Sequence, residues 1–185
     1  MHLKHNRSKG IAVNKIPMKK ASELFGILNI VFFSPEDLNI IKNGPSERRH
    51  FLDAELCQLD KIYLSDLSNY NKILNQRNKL LKDMVYRPEL SDTLPVWDMQ
   101  LADTGKKIIR RREKFVKELN ELVHEIHYRI SGGREELFLS YEPSVSADLL
   151  EQELERVKLR DLKQCQTSVG PHRDDPVSYT HLRAH

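Results

Sequence analysis

Residues 97–130 read WDMQLADTGKKIIRRREKFVKELNELVHEIHYRI, a stretch with one glycine and no proline. Large apolar side chains recur along it in steps of three, four or seven: Trp97, Leu101, Ile108, Phe115, Leu119, Leu122, Ile126 and Ile130. This spacing places them on one face of an α-helix, as in the seam by which one helix packs against another. The stretch therefore predicts one long helix with a helical partner.

The predicted partner helix precedes this stretch in the chain. Pro45 is tolerated in the first turn of a helix, and no further glycine or proline occurs before Pro88. Apolar positions again recur mostly in steps of three and four: Leu52, Leu56, Leu59, Ile62 or Tyr63, Leu67, Tyr70, Leu74 and Leu81. Pro88 and Pro95 mark the connecting loop. Two helices of roughly 35 residues, at about 1.5 Å rise per residue, predict an antiparallel hairpin arm about 50 Å long.

Shorter segments on both sides of this arm have α/β character. Before the arm, residues 11–16 and 28–33 read as strands, residues 19–25 as a short helix, and Ser34 as the N-cap of another helix.

After the arm, residues 131–133 (Ser-Gly-Gly) end the second long helix, and strand character returns at residues 137–141. Residues 147–163 read as a helix, and residues 166–169 could form one more strand. The predicted fold is therefore α/β with a long helical insertion, in which residues 45–131 form the arm.

The composition excludes several classes of protein. Of the 185 residues, 39% are hydrophobic and 31% charged, with a net charge of +3. No run approaches the roughly 18 apolar residues that a membrane helix needs, so we expect a soluble, cytoplasmic protein without a membrane partner. Cys57 and Cys165 are the only cysteines, which excludes a disulfide framework.

The sequence contains no complete catalytic set. It has no Gly-x-x-x-x-Gly-Lys-Ser/Thr phosphate loop and no Gly-x-Ser-x-Gly. The Ser-Gly-Gly at residues 131–133 ends a helix, where it cannot offer a helix N-terminus to a phosphate. His124 and His127 lie one helical turn apart, but no further ligand cluster accompanies them. We therefore predict neither catalytic residues nor a metal site.

A basic run occupies the middle of the second long helix, with seven positive residues against one acid in residues 106–117. Its candidate DNA-binding residues share one helical stripe: Lys107, Arg110 or Arg111, Lys114 and Lys117. Such a stripe can follow a phosphate backbone, which demands charge and spacing but no base recognition. An ordinary solvated helix face explains the same residues.

Several ordered motifs resemble the RecF family of bacterial DNA replication and repair proteins. They are FSPEDL at residues 33–38, GPSERRHFLD at 44–53, YNKILNQRNKLL at 70–81, WDMQLA at 97–102 with Gly105, and TSVGPHRDD at 167–175. The resemblance covers roughly residues 10–175. It implies a partial ABC-ATPase head of the SMC type, with residues 1–44 in the nucleotide-binding lobe, residues 45–131 as its helical-hairpin arm, and residues 132–175 returning to the head.

The resemblance also implies a function for the complete protein. Such a protein binds ATP and Mg²⁺, forms an ATP-dependent homodimer, engages DNA at single-strand to double-strand junctions, and helps load recombinase together with recombination mediator proteins. It would act in the cytoplasm, associated with the nucleoid. A non-enzymatic coiled-coil scaffold and a head segment of another SMC-like ATPase are the alternatives.

Particular residues inherit expected roles from the resemblance. Ser34, Glu36 and Asp37 would border the ATP site, although helix capping also explains them. Arg48 and Arg49 lie in the first turns of a predicted long helix, where the helix dipole favours acidic residues, so we expect a specific partner for them. DNA phosphate and an internal carboxylate such as that of Asp53 are the candidates.

The turn after Gly170 would present His172 and Arg173 to DNA. Asp174 and Asp175 could hold that arginine, and a structural salt bridge is equally consistent with the motif.

The same resemblance sets expectations for the chain limits. The family's phosphate loop should lie upstream of Met1 and its signature and Walker B segments downstream of Asp175, so the chain alone is expected to bind no nucleotide. Residues 176–185 depart from the family pattern, and Pro176 removes a backbone donor. We interpret this non-family tail as translated read-through at the end of a sequence fragment, an artefact, and leave it out of the predicted fold.

Overall fold

A computed structural model describes residues 11–20, 24, 27, 29–31 and 34–182. Its strands are β1 (Ile11–Val13), β2 (Ile16–Met18), β3 (Glu135–Glu142) and β4 (Asp175–Leu182). Its α-helices are α1 (Asn39–Lys42), α2 (Pro45–Leu59), α3 (Lys61–Asp83), α4 (Leu94–Ile130), α5 (Leu150–Arg156) and α6 (Lys158–Gln164). Short 3-10 turns cover Pro35–Leu38, Pro88–Thr93, Ala147–Leu149 and Pro171–Arg173.

Helix α4 confirms the long helix predicted from residues 97–130. It has 37 residues and begins slightly earlier, because Pro95 lies in its first turn, where the missing backbone donor is not needed. At about 1.5 Å per residue it is about 55 Å long. Its buried face includes Leu101, Ile108, Ile109 and Val116. Of the predicted seam, Leu101 and Ile108 are buried, whereas Leu122, Ile126 and Ile130 near the end of the helix are exposed.

The partner of α4 is two helices, and the prediction of one continuous helix is wrong at Asp60. This residue has extended backbone angles, φ −140° and ψ 105°, between α2 and α3. Its carboxylate accepts hydrogen bonds from the backbone N–H groups of Ile62 and Tyr63, at 2.9 and 3.1 Å. An aspartate cap of this kind satisfies the free N–H groups of a new helix and starts it without glycine or proline.

The core lies where α2, α3, α4 and α5 meet. Its largest fully buried apolar side chains are Tyr70, Leu56, Leu101, Ile108, Ile109, Leu150 and Leu154. Gly105 lets α4 approach its neighbours, because a Cβ there would lie 2.6 Å from Leu150 Cδ2 and 3.3 Å from Tyr70 Cε2. Leu81, Met84 and Leu94 form a smaller cluster between the far end of α3 and the start of α4.

Strands β3 and β4 pair antiparallel, from Glu135 opposite Leu182 to Glu142 opposite Asp175. The strand predicted at residues 137–141 is confirmed and is longer. Residues 176–182, which belong to the tail that was left out of the predicted fold, form most of β4 and pair with β3. Pro176 is the second residue of β4, and in a two-stranded sheet one side of the strand needs no backbone donor.

Two further predictions around this sheet are wrong. Residues 166–169 form no strand, because the N–H groups of Thr167 and Ser168 bond to the side chains of Asn78 and Asp161. The single helix predicted over residues 147–163 is a 3-10 turn followed by α5 and α6, with the break at Val157.

The N-terminal part differs from prediction where the structure describes it. The strand predicted over residues 11–16 is the hairpin β1–β2, because Asn14 and Lys15 both have positive φ, 50° and 70°, and form its two-residue turn. The helix predicted at 19–25 and the strand predicted at 28–33 fall largely outside the described residues. Within the described residues, no helix has the length and apolar character needed to span a bilayer.

Candidate nucleic-acid interface

A buried arginine on α3 holds the loop between α6 and β4. The Arg77 side chain is fully buried; its Nε donates to Asp98 at 2.5 Å, and its Nη1 donates to Asp161 and to the Thr167 hydroxyl, both at 2.8 Å. Next to it, the Asn78 side-chain oxygen accepts hydrogen bonds from both the backbone N–H and the hydroxyl of Thr167. These contacts fix the start of the loop against the arm.

This Arg77 cluster is not fully satisfied. Arg77 Nη2 and Asp98 Oδ2 are buried and have no hydrogen-bond partner among the described residues. Burial raises the pKa of Asp98, although the hydrogen bond and charge of Arg77 act in the opposite direction. Arg77 therefore forms ion pairs with two carboxyl groups in the interior, those of Asp98 and Asp161.

A second buried arginine, on α4, holds the other end of the same loop. Arg112 Nη2 contacts both oxygens of Asp53, at 2.8 and 3.0 Å, and its Nη1 donates to the Pro171 carbonyl oxygen at 2.7 Å. Its Nε contacts the Tyr63 hydroxyl, and Asp174 lies 3.7 Å from Nη1. Arg112 thus joins α2, α3, α4 and the loop through one guanidinium.

Between these two arginines, the loop turns at Gly170 and partly buries His172. Gly170 has φ +119°, and a Cβ there would lie 2.7 Å from the Tyr70 hydroxyl. That hydroxyl contacts His172 Nδ1 at 2.7 Å, and His172 Nε2 lies 3.1 Å from the Thr167 carbonyl oxygen. Because a carbonyl only accepts, Nε2 carries the proton and Nδ1 accepts from the tyrosine. Burial lowers the pKa of His172 to about 4, so the ring is neutral near pH 7.

The two arginines at the start of α2 have different partners. Arg48 forms a bidentate pair with Asp175, at 2.8 and 3.0 Å, and also donates to the Asn43 carbonyl oxygen. Arg49 Nη1 donates to the Asp174 carbonyl oxygen at 2.7 Å. The carboxylate that had been expected at Asp53 is instead bound to Arg112.

Of the candidate DNA-binding residues on α4, three are exposed and one, Arg111, is half-buried. The four candidate DNA-binding residues of α4 each have an acidic neighbour: Lys107 with Asp103 at 2.9 Å, Arg110 with Asp148 at 2.5 Å, Arg111 with Asp60 at 2.9 Å, and Lys114 with Glu118 at 3.8 Å. The side chains of Lys107, Arg110 and Lys114 are 52%, 62% and 71% exposed, and such surface pairs contribute little. Arg111 is half-buried against the α2–α3 junction.

Arg173 is exposed beyond His172, and its Nη2 lies 3.3 Å from the Thr167 carbonyl oxygen. The candidate DNA-binding residues therefore occupy two places. Arg48, Arg49 and His172 lie where α2 begins and the 170–175 segment crosses it. Arg173 belongs to the same segment but lies beside Arg160, Gln164 and Ser168. Lys107, Arg110 and Lys114 follow α4.

The candidate ATP-site residues cap the 3-10 turn Pro35–Leu38. The Ser34 N–H donates to Asp37 Oδ2 at 2.7 Å. A hydrogen bond from the Ser34 side chain, aided by the Glu36 backbone, lowers the pKa of the exposed Glu36. The capping interpretation of Ser34 and Asp37 is therefore realised in the structure.

The paired histidines of α4 pack against β3. The His124 ring lies 5.1 Å from the Phe138 ring, between centroids, and His127 Nε2 lies 3.7 Å from Glu135. Across the part of the chain that the structure describes, no three histidine, cysteine, aspartate or glutamate side chains gather as metal ligands.

Comparison with known proteins decides the family. The chain is 68% identical over 175 residues to the DNA replication and repair protein RecF of Agathobacter rectalis, a match that covers 95% of this chain. It is 58% identical over 179 residues to the RecF of Lachnospira eligens. This chain belongs to the RecF family. The chain spans about half the length of these RecF relatives, 48% and 49%.

Solved RecF structures agree with this assignment. The structure of the recombination mediator protein RecF-ATPrS in the RecFOR pathway matches with a TM-score of 0.86 and 36% identity, over 96% of this chain and 50% of that one. The RecF-ATP structure matches with a TM-score of 0.85 at the same identity. No family model matches the chain. The RecF resemblance and the fold expected from it are confirmed.

Two residues of this RecF site were missed in the sequence. Arg77 lies between the apolar positions Leu74 and Leu81, and Arg112 lies four residues after Ile108 and four before Val116. That spacing places both guanidiniums on the packed faces of α3 and α4. The spacing carries this signal, but neither arginine was among the predicted site residues.

Proposed function

We propose that this chain is part of a RecF-type protein of DNA replication and recombinational repair. In the complete protein we infer ATP and Mg²⁺ binding, an ATP-dependent homodimer, and engagement of DNA at single-strand to double-strand junctions. With recombination mediator proteins it would assist recombinase loading at the nucleoid in the cytoplasm. The observation that carries this proposal is the match to RecF-ATPrS over nearly the whole chain.

The DNA role is assigned to the two groups of basic residues described above. Lys107, Arg110 and Lys114 are exposed on α4 and are free to exchange weak surface pairs for phosphate contacts. Arg111 would add charge beside them. Arg48 and Arg49 at the start of α2, and Arg173 in the 170–175 segment, would approach the DNA backbone, while His172 is neutral and would act chiefly by positioning Arg173.

The nucleotide role is assigned to the complete protein. Ser34, Glu36 and Asp37 would border the ATP and Mg²⁺ site, with Glu36 the most exposed of the three carboxyl and hydroxyl groups. The chain has no phosphate loop of its own. We therefore expect the 185 residues alone to bind no Mg-ATP in isothermal titration.

A chimera tests the proposal. The 175 aligned residues of this chain would replace their counterparts in the Agathobacter rectalis RecF, and ATP turnover and binding to a gapped duplex would be compared with the unaltered relative. We expect the chimera to keep both activities. A chimera that folds but neither hydrolyses ATP nor binds the gapped duplex, where the relative does both, would favour the scaffold alternative.

A further inference from the structure

A polar cleft opens at the base of the arm, between the start of α2, the middle of α3 and the 170–172 turn. Its volume is about 280 Å³, and its polar lining includes Ser46, Arg49, His50, Asn71, Arg112 and His172. Small-molecule pockets usually measure about 300–1,000 Å³. The cleft is therefore suited to one small polar group and not to a whole nucleotide.

The charge of the cleft is unbalanced at Arg49. Asp53 also lines the cleft, but both its oxygens are bound by Arg112. Arg48 pairs with Asp175 on its other side. Among the described residues, Arg49 has no carboxylate within ion-pair distance, and its one hydrogen bond goes to a carbonyl oxygen. Burial, followed by the charge of Arg112, lowers the pKa of Arg49, although the charges of Asp174, Asp175 and Asp53 act in the opposite direction.

The remaining lining groups cannot supply that counter-ion. The His172 ring is neutral, and its Nδ1 is engaged by Tyr70. Ser46, His50 and Asn71 are exposed at the cleft mouth and can present hydrogen-bond donors. The cleft thus offers one guanidinium without an ion-pair partner among the described residues, a second guanidinium behind it, and further hydrogen-bond donors around them.

We propose that this cleft binds one phosphate group, with Arg49 as its principal contact and Arg112 as the residue that positions the cleft wall. A guanidinium matches the geometry of a phosphate and forms charge-assisted hydrogen bonds with it. The phosphate can come from a DNA backbone or from a free phosphate or nucleotide. The DNA source rests on the proposed function, whereas the phosphate site itself rests on the cleft alone.

Isothermal titration of the 185-residue chain with inorganic phosphate tests the cleft. We expect Arg49→Gln to weaken phosphate binding about tenfold or more, because one charge-assisted contact is lost. Arg156→Gln should change it less than threefold, since that guanidinium pairs with Glu153 and does not line the cleft. No saturable binding by the unaltered chain, or equal losses in the two variants, would overturn the proposal.

A second pair of variants avoids the packed residues. Asn71→Asp places a negative charge at the cleft mouth and should weaken phosphate binding several-fold. Asn69→Asp makes the same charge change two residues earlier on α3, in an exposed position outside the cleft lining, and should leave binding within about twofold. If the two variants lose phosphate affinity equally, the loss reflects only the change in overall charge, and the proposed site is overturned.

Competition separates the sources of the phosphate. A random-sequence duplex that displaces inorganic phosphate from the unaltered chain, but loses this ability in Arg49→Gln, identifies a DNA backbone phosphate. Displacement by ATP without metal, and not by duplex, identifies a free or nucleotide phosphate. If ATP displaces phosphate and the duplex does not, the phosphate site is supported, and the proposal that DNA binds at this cleft is contradicted.

Discussion

Two buried arginines hold the same loop in different surroundings. Arg77 is sealed between α3, α4 and α6, and it leaves one of its own nitrogens and one Asp98 oxygen without partners. Arg112 has every nitrogen bonded, yet it lines a cleft that opens to solvent. The difference shows that burial of an arginine does not by itself identify its role. The sealed Arg77 cluster stabilises the fold, whereas the open Arg112 cluster can also contribute to binding a ligand.

The largest expected effect is at the sealed cluster. Arg77→Met would leave Asp98 and Asp161 buried without their cation, so the free energy of unfolding should fall by about 3–5 kcal/mol. Urea unfolding at pH 7 measures it. Arg156→Gln, which removes an exposed helix pair with Glu153, is the control and should produce no measurable loss. A small effect of Arg77→Met would mean that the cluster is hydrated.

The histidine that links the two clusters gives a pH-dependent effect. The pKa of His172 is about 4 in the fold, against 6.5 as its ordinary value. The unfolded chain therefore binds more protons between these pH values, and the stability contributed by the neutral ring is complete above about pH 6.5 and lost as the pH falls towards 4. The difference in unfolding free energy between pH 7 and pH 4 should be at most about 3 kcal/mol from this residue.

His172→Asn isolates that contribution, because buried carboxyl groups such as Asp98 and Asp174, whose pKa values are raised by burial, titrate in both proteins. The unaltered chain should lose more stability than the variant between pH 6.5 and 4. Parallel pH profiles of the two proteins would contradict a partly buried, neutral imidazole.

The open cluster should tolerate loss of its arginine better. Arg112→Met breaks the pair with Asp53, but the Asp53 side chain is 20% exposed and can regain water. We expect a loss of about 2–3 kcal/mol in unfolding free energy, less than for Arg77→Met. The two variants would be compared by the same urea titration, and a larger loss for Arg112→Met would reverse the assignment of the two clusters.

The smallest effects per residue are expected on the exposed face of α4. Replacing Lys107, Arg110 and Lys114 together by Gln in the chimera should leave folding unchanged and lower the slope of log affinity for DNA against log salt by up to about 0.9 per lost phosphate contact. An unchanged slope would identify this stripe as a solvated face.

The sequence predicted the parts of the fold that follow from local pattern. The apolar seam of residues 97–130 is α4, and the strand signal at residues 137–141 is β3. The break between α2 and α3 at Asp60 was not predicted, because an aspartate within an apolar repeat does not by itself signal a break. The break depends on the Asp60 carboxylate capping the first turn of α3. The capping geometry, and not the residue type, decides such a boundary.

The candidate site was less predictable, because its contacts are distant in sequence. Arg77 meets Asp161 across 84 positions, and Arg112 meets Pro171 across 59. The motif at residues 170–175 pointed to the loop that both buried arginines contact. No local pattern shows that His172 is partly buried, or that Asp175 pairs with Arg48 and not with Arg49.

Side-chain NMR of the arginine Nε–Hε groups tests the contrast between the two clusters most directly. Inorganic phosphate would be added to the 185-residue chain and each arginine signal followed. The open cleft predicts that the Arg49 signal shifts most, the Arg112 signal shifts with it, and the Arg77 signal stays in place. A shift of Arg77 as large as that of Arg49, or no shift of Arg49 at saturating phosphate, would contradict the division between a sealed and an open arginine.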